Sequence, residues 1–267
     1  MINRDKLKPV IEEYKTYFPM HWRNSIDGGV SSKWEAVKCF QEHWDIDATD
    51  FADMLSQALA KTGSLLNVAH FFAGGMLIAM ARAEGETVRQ MFRSLFDETQ
   101  ELAQRITDFE DAAEKIRAAH DDGTWNSHYQ HANAISTYLW LRYPEKYYVY
   151  RYTVCHDVAV TLEADFQPKG NGAAENVVQC YCLYDEIRGE LCADAELSKL
   201  FADVIPDAAN ASEYLSTVTI DFCYYLSQVY RKEKSAPPAN DAPADSAAPS
   251  IWKISEGTDA TGPSSGN

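Results

Sequence analysis

Residues 138–152 read YLWLRYPEKYYVYRY, six tyrosines and one tryptophan in fifteen positions, with Arg142, Lys146 and Arg151 set among them. Rings interleaved with cations are what a single-stranded nucleic acid stacks on. In that chemistry Trp140, Tyr143 and Tyr147 would stack on an extruded base, while Arg142, Lys146 and Arg151 would hold the flanking phosphates. The same residues also suit a core, as a helix stopped by Pro144 followed by a short element. There one aromatic face packs inward and the hydroxyls reach polar partners at its rim. A protein-binding surface is the third use. The core leads these three readings.

Other residue types offer less. His128 and His131 in NSHYQHAN are three apart, and Cys155 and His156 follow later. A zinc site needs about four ligands in tetrahedral array, and these pairs lack a metal-site spacing, so capping and surface histidines are expected and no metal. Cys155 and His156 cannot act as nucleophile and base by adjacency, because neighbours in a strand point to opposite faces. TGPSSGN (261–267) lacks the Gly-Lys-Ser/Thr of a phosphate loop. No G-x-S-x-G, H-E-x-x-H or dinucleotide glycine fingerprint occurs. The pairs Asp97-Glu98 and Asp185-Glu186 read as solvated helix faces. No catalytic residue and no cofactor are expected.

The elements that would carry these residues are mainly helical. A first helix is expected over 4–18, ended by Pro19. A second follows the Gly28-Gly29 turn, with Ser32 and Glu35 in capping-box spacing. Asp47 and Asp50 repeat the device for a third, with Ile46 and Phe51 as its hydrophobic staple. Residues 86–119 put Val88, Met91, Phe92, Leu95, Ile106, Phe109 and Ile116 on one broad face, which predicts one long helix, closed by Asp121-Asp122-Gly123. Further helices are expected from about Ser127 to Tyr143, over 174–193 and over 211–232. Residues 147–154 read either as a short strand or as helix resumed towards Glu163.

The expected fold class is thus a mainly α, multi-helix globular module over 1–233, with a division into two helical subdomains near 121–127 as an alternative. KSAPPANDAPADSAAPS (234–250) holds four prolines and six alanines without an apolar period, which reads as an extended linker. Residues 251–267 then read as the truncated start of a following module, opening on strand-like IWKIS, or as a tail.

Bulk properties narrow the partners. A net charge of −16 repels polyanions at long range and disfavours nonspecific duplex binding, which depends on lysine and arginine neutralising phosphates. The run LNVAHFFAGGMLIAMA (66–81) is broken by His70, Gly74 and Gly75 and falls short of the roughly 20 apolar residues of a membrane span. No h-region opens the chain, and the six cysteines form no C-x-x-C. A cytoplasmic, reduced location without membrane contact is expected.

The wording of KWEAVKCFQEHWDIDATDFADML (33–55), ETVRQMFRSLFDETQELAQRI (86–106), NAISTYLWLRYPEKYYVYRY (133–152) and STVTIDFCYYLSQVY (216–230) resembles the N-terminal region of bacterial McrB-like restriction proteins. In that family a variable specificity region precedes an AAA+ GTPase motor, and a separate nuclease subunit cuts. The resemblance implies a non-catalytic target-sensing or assembly module of a modification-dependent, anti-phage restriction protein that assembles as an oligomer with its nuclease. The GTPase motifs are absent from these residues, so neither hydrolysis nor nuclease recruitment is implied for them. Modified DNA, or a phage or host protein, would be the target. Rival readings are an acidic helical protein-binding sensor that gates a downstream NTPase, and an acidic mimic of DNA.

Overall fold

The computed structural model describes residues 1–23, 30–170, 174–204 and 211–235. The Gly28-Gly29 turn, most of the 234–250 stretch, IWKIS and TGPSSGN lie outside the described residues. Met1–Ser235 form one compact unit. It is mainly helical, as its patterning predicts, and none of the helices among the described residues is long and apolar enough to cross a membrane.

The helices in order are α1 (Arg4–Arg23), α2 (Val30–His43), α3 (Phe51–Ala58), α4 (Ala73–Ala83), α5 (Gly85–Leu95), α6 (Leu102–His120), α7 (Ala132–Arg142), α8 (Tyr152–Thr161), α9 (Ala174–Ala193), α10 (Ala195–Val204) and α11 (Ala211–Tyr225). A π-helical turn, Leu226–Tyr230, joins α11 to the short α12 (Arg231–Ser235). Before α4 stand β1 (Asn67–Val68) and β2 (Phe71–Phe72), paired antiparallel with Val68 opposite Phe71 and Asn67 opposite Phe72.

The centre is α7. Apart from Asn133, every residue from Ala132 to Leu141 is buried, the pattern of a helix surrounded on all sides. It packs against α2, α6 and α9, so helices from both sides of residues 121–127 share one core. Trp140, Tyr138, Tyr14, Phe18, Phe40, Phe92, Phe109 and Phe222 are among its fully enclosed side chains. Ser136 and Thr137 return their hydroxyls to the Asn133 carbonyl, at 2.9 and 2.8 Å, which lets two polar residues sit in the interior.

Several boundaries differ from the sequence expectation, each for a local reason. α1 runs through Pro19, which removes only the bond to the Lys15 carbonyl. Phe18 edge-on to Phe201 at 5.0 Å and Tyr17 stacked on His21 at 4.8 Å hold the helix across that gap. α2 is already helical at Val30, so Ser32 lies inside its first turn and the Ser32–Glu35 pair does not mark its start. The start of α3 is three residues later than the expected cap at Asp47. Asp50 is the N-cap, its Oδ1 accepting the Asp53 amide at 2.9 Å, and Asp47 instead meets Arg93 at 2.9 Å. Phe51 is the first helical residue, so the Ile46–Phe51 staple does not form in that register.

The long helix over 86–119 is two helices. Asp97 Oδ1 accepts both the amide and the hydroxyl of Thr99, at 3.1 and 2.6 Å. This Asx-type turn competes with helical bonding. Arg105 then closes the end of α5 by donating to the Leu95 carbonyl at 2.7 Å. The helix expected from Ser127 begins only at Ala132, because Tyr129 takes a left-handed φ of 56°. Residues 147–151 are neither strand nor helix, and helix resumes at Tyr152. Among the described residues no strand pairs with them. Side chains bond the backbone instead: the Tyr150 amide donates to Ser136 Oγ at 2.9 Å, and Tyr181 donates to the Tyr148 carbonyl at 2.8 Å. α10 has no counterpart in the sequence expectation, although Asp194 caps it by accepting the Leu197 amide at 2.9 Å.

Candidate functional site

The aromatic–cation run is divided between core and surface. Trp140 is fully buried and donates its Nε1 hydrogen to Thr217 Oγ1 of α11 at 3.2 Å. Tyr148 is fully buried, edge-on to Tyr184 at 5.4 Å, and its hydroxyl donates to Asp185 at 2.7 Å. Tyr147 is 4 % exposed. Its hydroxyl donates to Glu98 Oε1 at 2.6 Å and accepts from Arg105 Nη2 at 3.1 Å. Neither Trp140 nor Tyr147 presents a ring face to a base.

The cations are engaged within the chain. Lys146 is exposed but meets Glu98 Oε1 at 2.5 Å. The half-buried Arg142 lies over the Tyr143 ring at 5.0 Å, and that ring stands edge-on to Phe96 at 5.8 Å. The half-buried Arg151 turns to the Ser64 carbonyl at 3.5 Å, on the hairpin side of the molecule. Arg142, Tyr143, Lys146 and Tyr147 therefore gather at the α5–α6 turn, while Trp140 and Arg151 face elsewhere. Bonds from Lys146 first, then Tyr147, hold the Glu98 carboxyl below the usual glutamate range. Burial, then the bond to Glu98, pushes Tyr147 up.

Cys155 lies in the core beside α9, whereas His156 stacks on Tyr152 at 6.0 Å and stands 3.7 Å from Asp157. Adjacent in sequence, they do not form a nucleophile–base pair. Burial pushes the thiols of Cys180 and Cys223 well up, the condition of inert structural cysteines. A shallow cleft of about 630 Å³ between α3 and α5 is lined by Asp50, Phe51, Arg82, Glu86 and Arg89. Arg89 there already meets Glu86 at 2.8 Å and the Ala48 carbonyl at 2.9 Å.

Two arrangements were not read from the sequence. The first is the hairpin. Val68 and Phe72 are 45 % and 55 % exposed, among the most open large apolar side chains of the described residues. Asn67 secures the hairpin to α4 by accepting the Gly75 amide at 3.2 Å. The Phe72 ring lies over Gly75 so closely that a Cβ there would stand 1.9 Å from it. The missing side chain at Gly75 is thus what leaves room for the Phe72 ring to lie on α4.

The second is a histidine cluster. Glu110 of α6, His128 and His131 bring one ligand atom each within 4.8 Å of one another. His131 Nδ1 is 2.5 Å from Glu110 Oε1, and the two imidazoles lie 4.5 Å apart. His128 is 7 % exposed, and its Nδ1 accepts the Gln130 amide at 2.9 Å. Burial, then the neighbouring His131, lowers the pKa of His128, while the bond to Glu110 raises that of His131. Spacing alone shows the two histidines; Glu110 joins them only through the turn that Tyr129 makes.

Compared with protein-family models, with curated proteins and with solved structures, the chain matches none.

Proposed function

We propose that the chain is a non-catalytic target-sensing or assembly module of an McrB-like restriction protein, and that its contact is a protein. The observation that carries the choice of protein over DNA is the position of the 138–152 aromatics, enclosed at Trp140, Tyr147, Tyr148 and Tyr150. Base stacking needs an open ring face beside free cations. Lys146, the exposed cation of the run, is neutralised by Glu98.

Charge supports the same reading. A chain carrying −16 repels phosphate and attracts a surface rimmed by lysine and arginine, which raises the encounter rate with such a partner. At the centre of that contact we place the hairpin, because open apolar side chains held on a fixed scaffold suit the desolvated middle of an interface. The partner's chemistry at the hairpin is accordingly an apolar patch, and the acidity of the rest of the chain favours lysine and arginine elsewhere on the partner. The link to restriction rests on the four quoted segments that resemble the McrB-like N-terminal region.

A photo-cross-linking residue placed at position 72, with a control at the exposed Lys115 of α6, tests the contact in cells. The expected result is a protein adduct specific to position 72. The purified partner should then bind this chain and lose binding to Phe72→Ser. Equal labelling from both positions, or unchanged binding by Phe72→Ser, would overturn the proposed contact.

A further inference from the structure

We propose that Glu110, His128 and His131 form a binding site for a divalent transition-metal ion of the zinc class. This inference does not depend on the hairpin reading. Two imidazoles and one carboxylate are a recognised zinc donor set, with a remaining position open to water. Their ligand atoms lie within 4.8 Å of one another, a separation that one ion can bridge after small side-chain adjustments.

The backbone that brings them together is held from several directions. Tyr129, between the two histidines, has φ 56°, a conformation uncommon for an aromatic residue and maintained only where the surroundings over-determine it. The Ser127 hydroxyl accepts the Tyr129 amide at 3.1 Å, and the Tyr129 ring stands edge-on to Phe71 at 6.4 Å. Gln130 is fully buried: its side chain donates to the Ala73 and His128 carbonyls at 2.8 and 2.9 Å and accepts from Tyr138 at 2.8 Å. A turn secured in this way presents His128 and His131 on the same side, opposite the α6 residue Glu110. Preorganisation of this kind lowers the ordering cost of binding an ion.

Proton bookkeeping makes the site testable beyond affinity. A single hydrogen bond joins His131 Nδ1 and Glu110 Oε1; an ion bound between them takes the place of the bridging proton, which passes to Nε2 of a neutral ring or is released to solvent from an imidazolium. With the Gln130 amide on Nδ1, the neutral His128 ring carries its proton on Nε2. Ligation through Nε2 moves that proton to Nδ1, and ligation through Nδ1 uses the same lone pair. Either route releases the Gln130 amide, so its resonance reports directly on binding.

The experiment is titration of the untagged chain with Zn(II), and with Co(II) for its visible absorption, while the Gln130 amide is followed by NMR. The expected result is saturation at one ion per chain, a tetrahedral Co(II) spectrum, a raised melting temperature and displacement of the Gln130 resonance. Glu110→Gln, which removes one of three ligands, should weaken binding by at least the roughly 10–100-fold that loss of an outer-shell partner costs, and His131→Gln should weaken it further. Both positions are partly open, at 31 % and 49 % side-chain exposure, so the fold should tolerate them. His43→Gln, at the separate Cys39–His43 contact, should change nothing. Absence of a saturable Co(II) spectrum, or binding that survives in the Glu110→Gln/His131→Gln double variant, would overturn the site.

Discussion

Tyr147 donates its hydroxyl hydrogen to Glu98 across 2.6 Å, joining the segment before α8 to the turn between α5 and α6. The same oxygen accepts from Arg105, which in turn closes the Leu95 carbonyl. Tyr147→Phe should therefore lower stability by about 1–2 kcal/mol. Arg105→Leu, which leaves the Leu95 carbonyl and the Tyr147 oxygen without their donor, should cost about 3 kcal/mol. Urea denaturation measures both. A Tyr147 reserved for a ligand would leave the midpoint unchanged.

Acid should act on the same network. The Glu98 carboxyl is held low by Lys146 first and Tyr147 second. A group whose folded pKa lies below its unfolded value, about 4.3 for glutamate, stabilises the fold above that value. It loses the contribution as pH falls through the folded pKa. Glu98→Gln should be less stable than the parent at neutral pH and should lose less stability on acidification. The Glu98 side chain is 38 % exposed, so the difference should be small and should shrink with salt. Equal pH profiles would contradict this role.

Trp140 gives a larger signal. Removing a fully buried indole leaves a cavity in the central helix, and Trp140→Ala should cost about 3–5 kcal/mol. Trp140→Phe should cost less, since it retains most of the packing and loses the bond to Thr217. Thermal melting separates the two variants. A stable Trp140→Ala protein would mean that this ring is not part of the core.

Gly75→Ala tests the hairpin without changing its chemistry. The new Cβ would stand 1.9 Å from Phe72 Cε1 and 2.0 Å from Cζ, so the half-exposed ring must swing aside. Helix propensity favours alanine over glycine by about 1 kcal/mol, so melting should be unchanged or slightly raised. Binding to the protein partner identified by cross-linking should fall. A variant that melts normally and binds normally would remove Phe72 from the contact.

The helical class was legible because α5, α9 and α11 carry apolar residues at helical spacing. The tyrosine-rich run was legible as core, since both strand and helix readings need an inward face. Boundaries failed where one side chain competed with the backbone. Asp97 turns the chain onto Thr99, and Tyr129 takes a left-handed φ, choices that hydrophobic periodicity does not register. The hairpin was hidden because strands of two residues have no period. The histidine cluster was hidden for a different reason: Glu110 lies 18 residues before His128, and a turn secured by Gln130 brings them together.

The central claim is that this chain meets protein and not DNA. Fluorescence anisotropy of the chain against duplex and single-stranded DNA, each with plain and modified cytosine, at low and moderate salt tests it most directly. The expected result is no saturable binding at moderate salt and no preference for the modified base at low salt. Binding that prefers modified cytosine, weakens with salt, and is lost in Arg142→Ala/Lys146→Ala would contradict the claim and restore the 142–147 surface as a DNA contact.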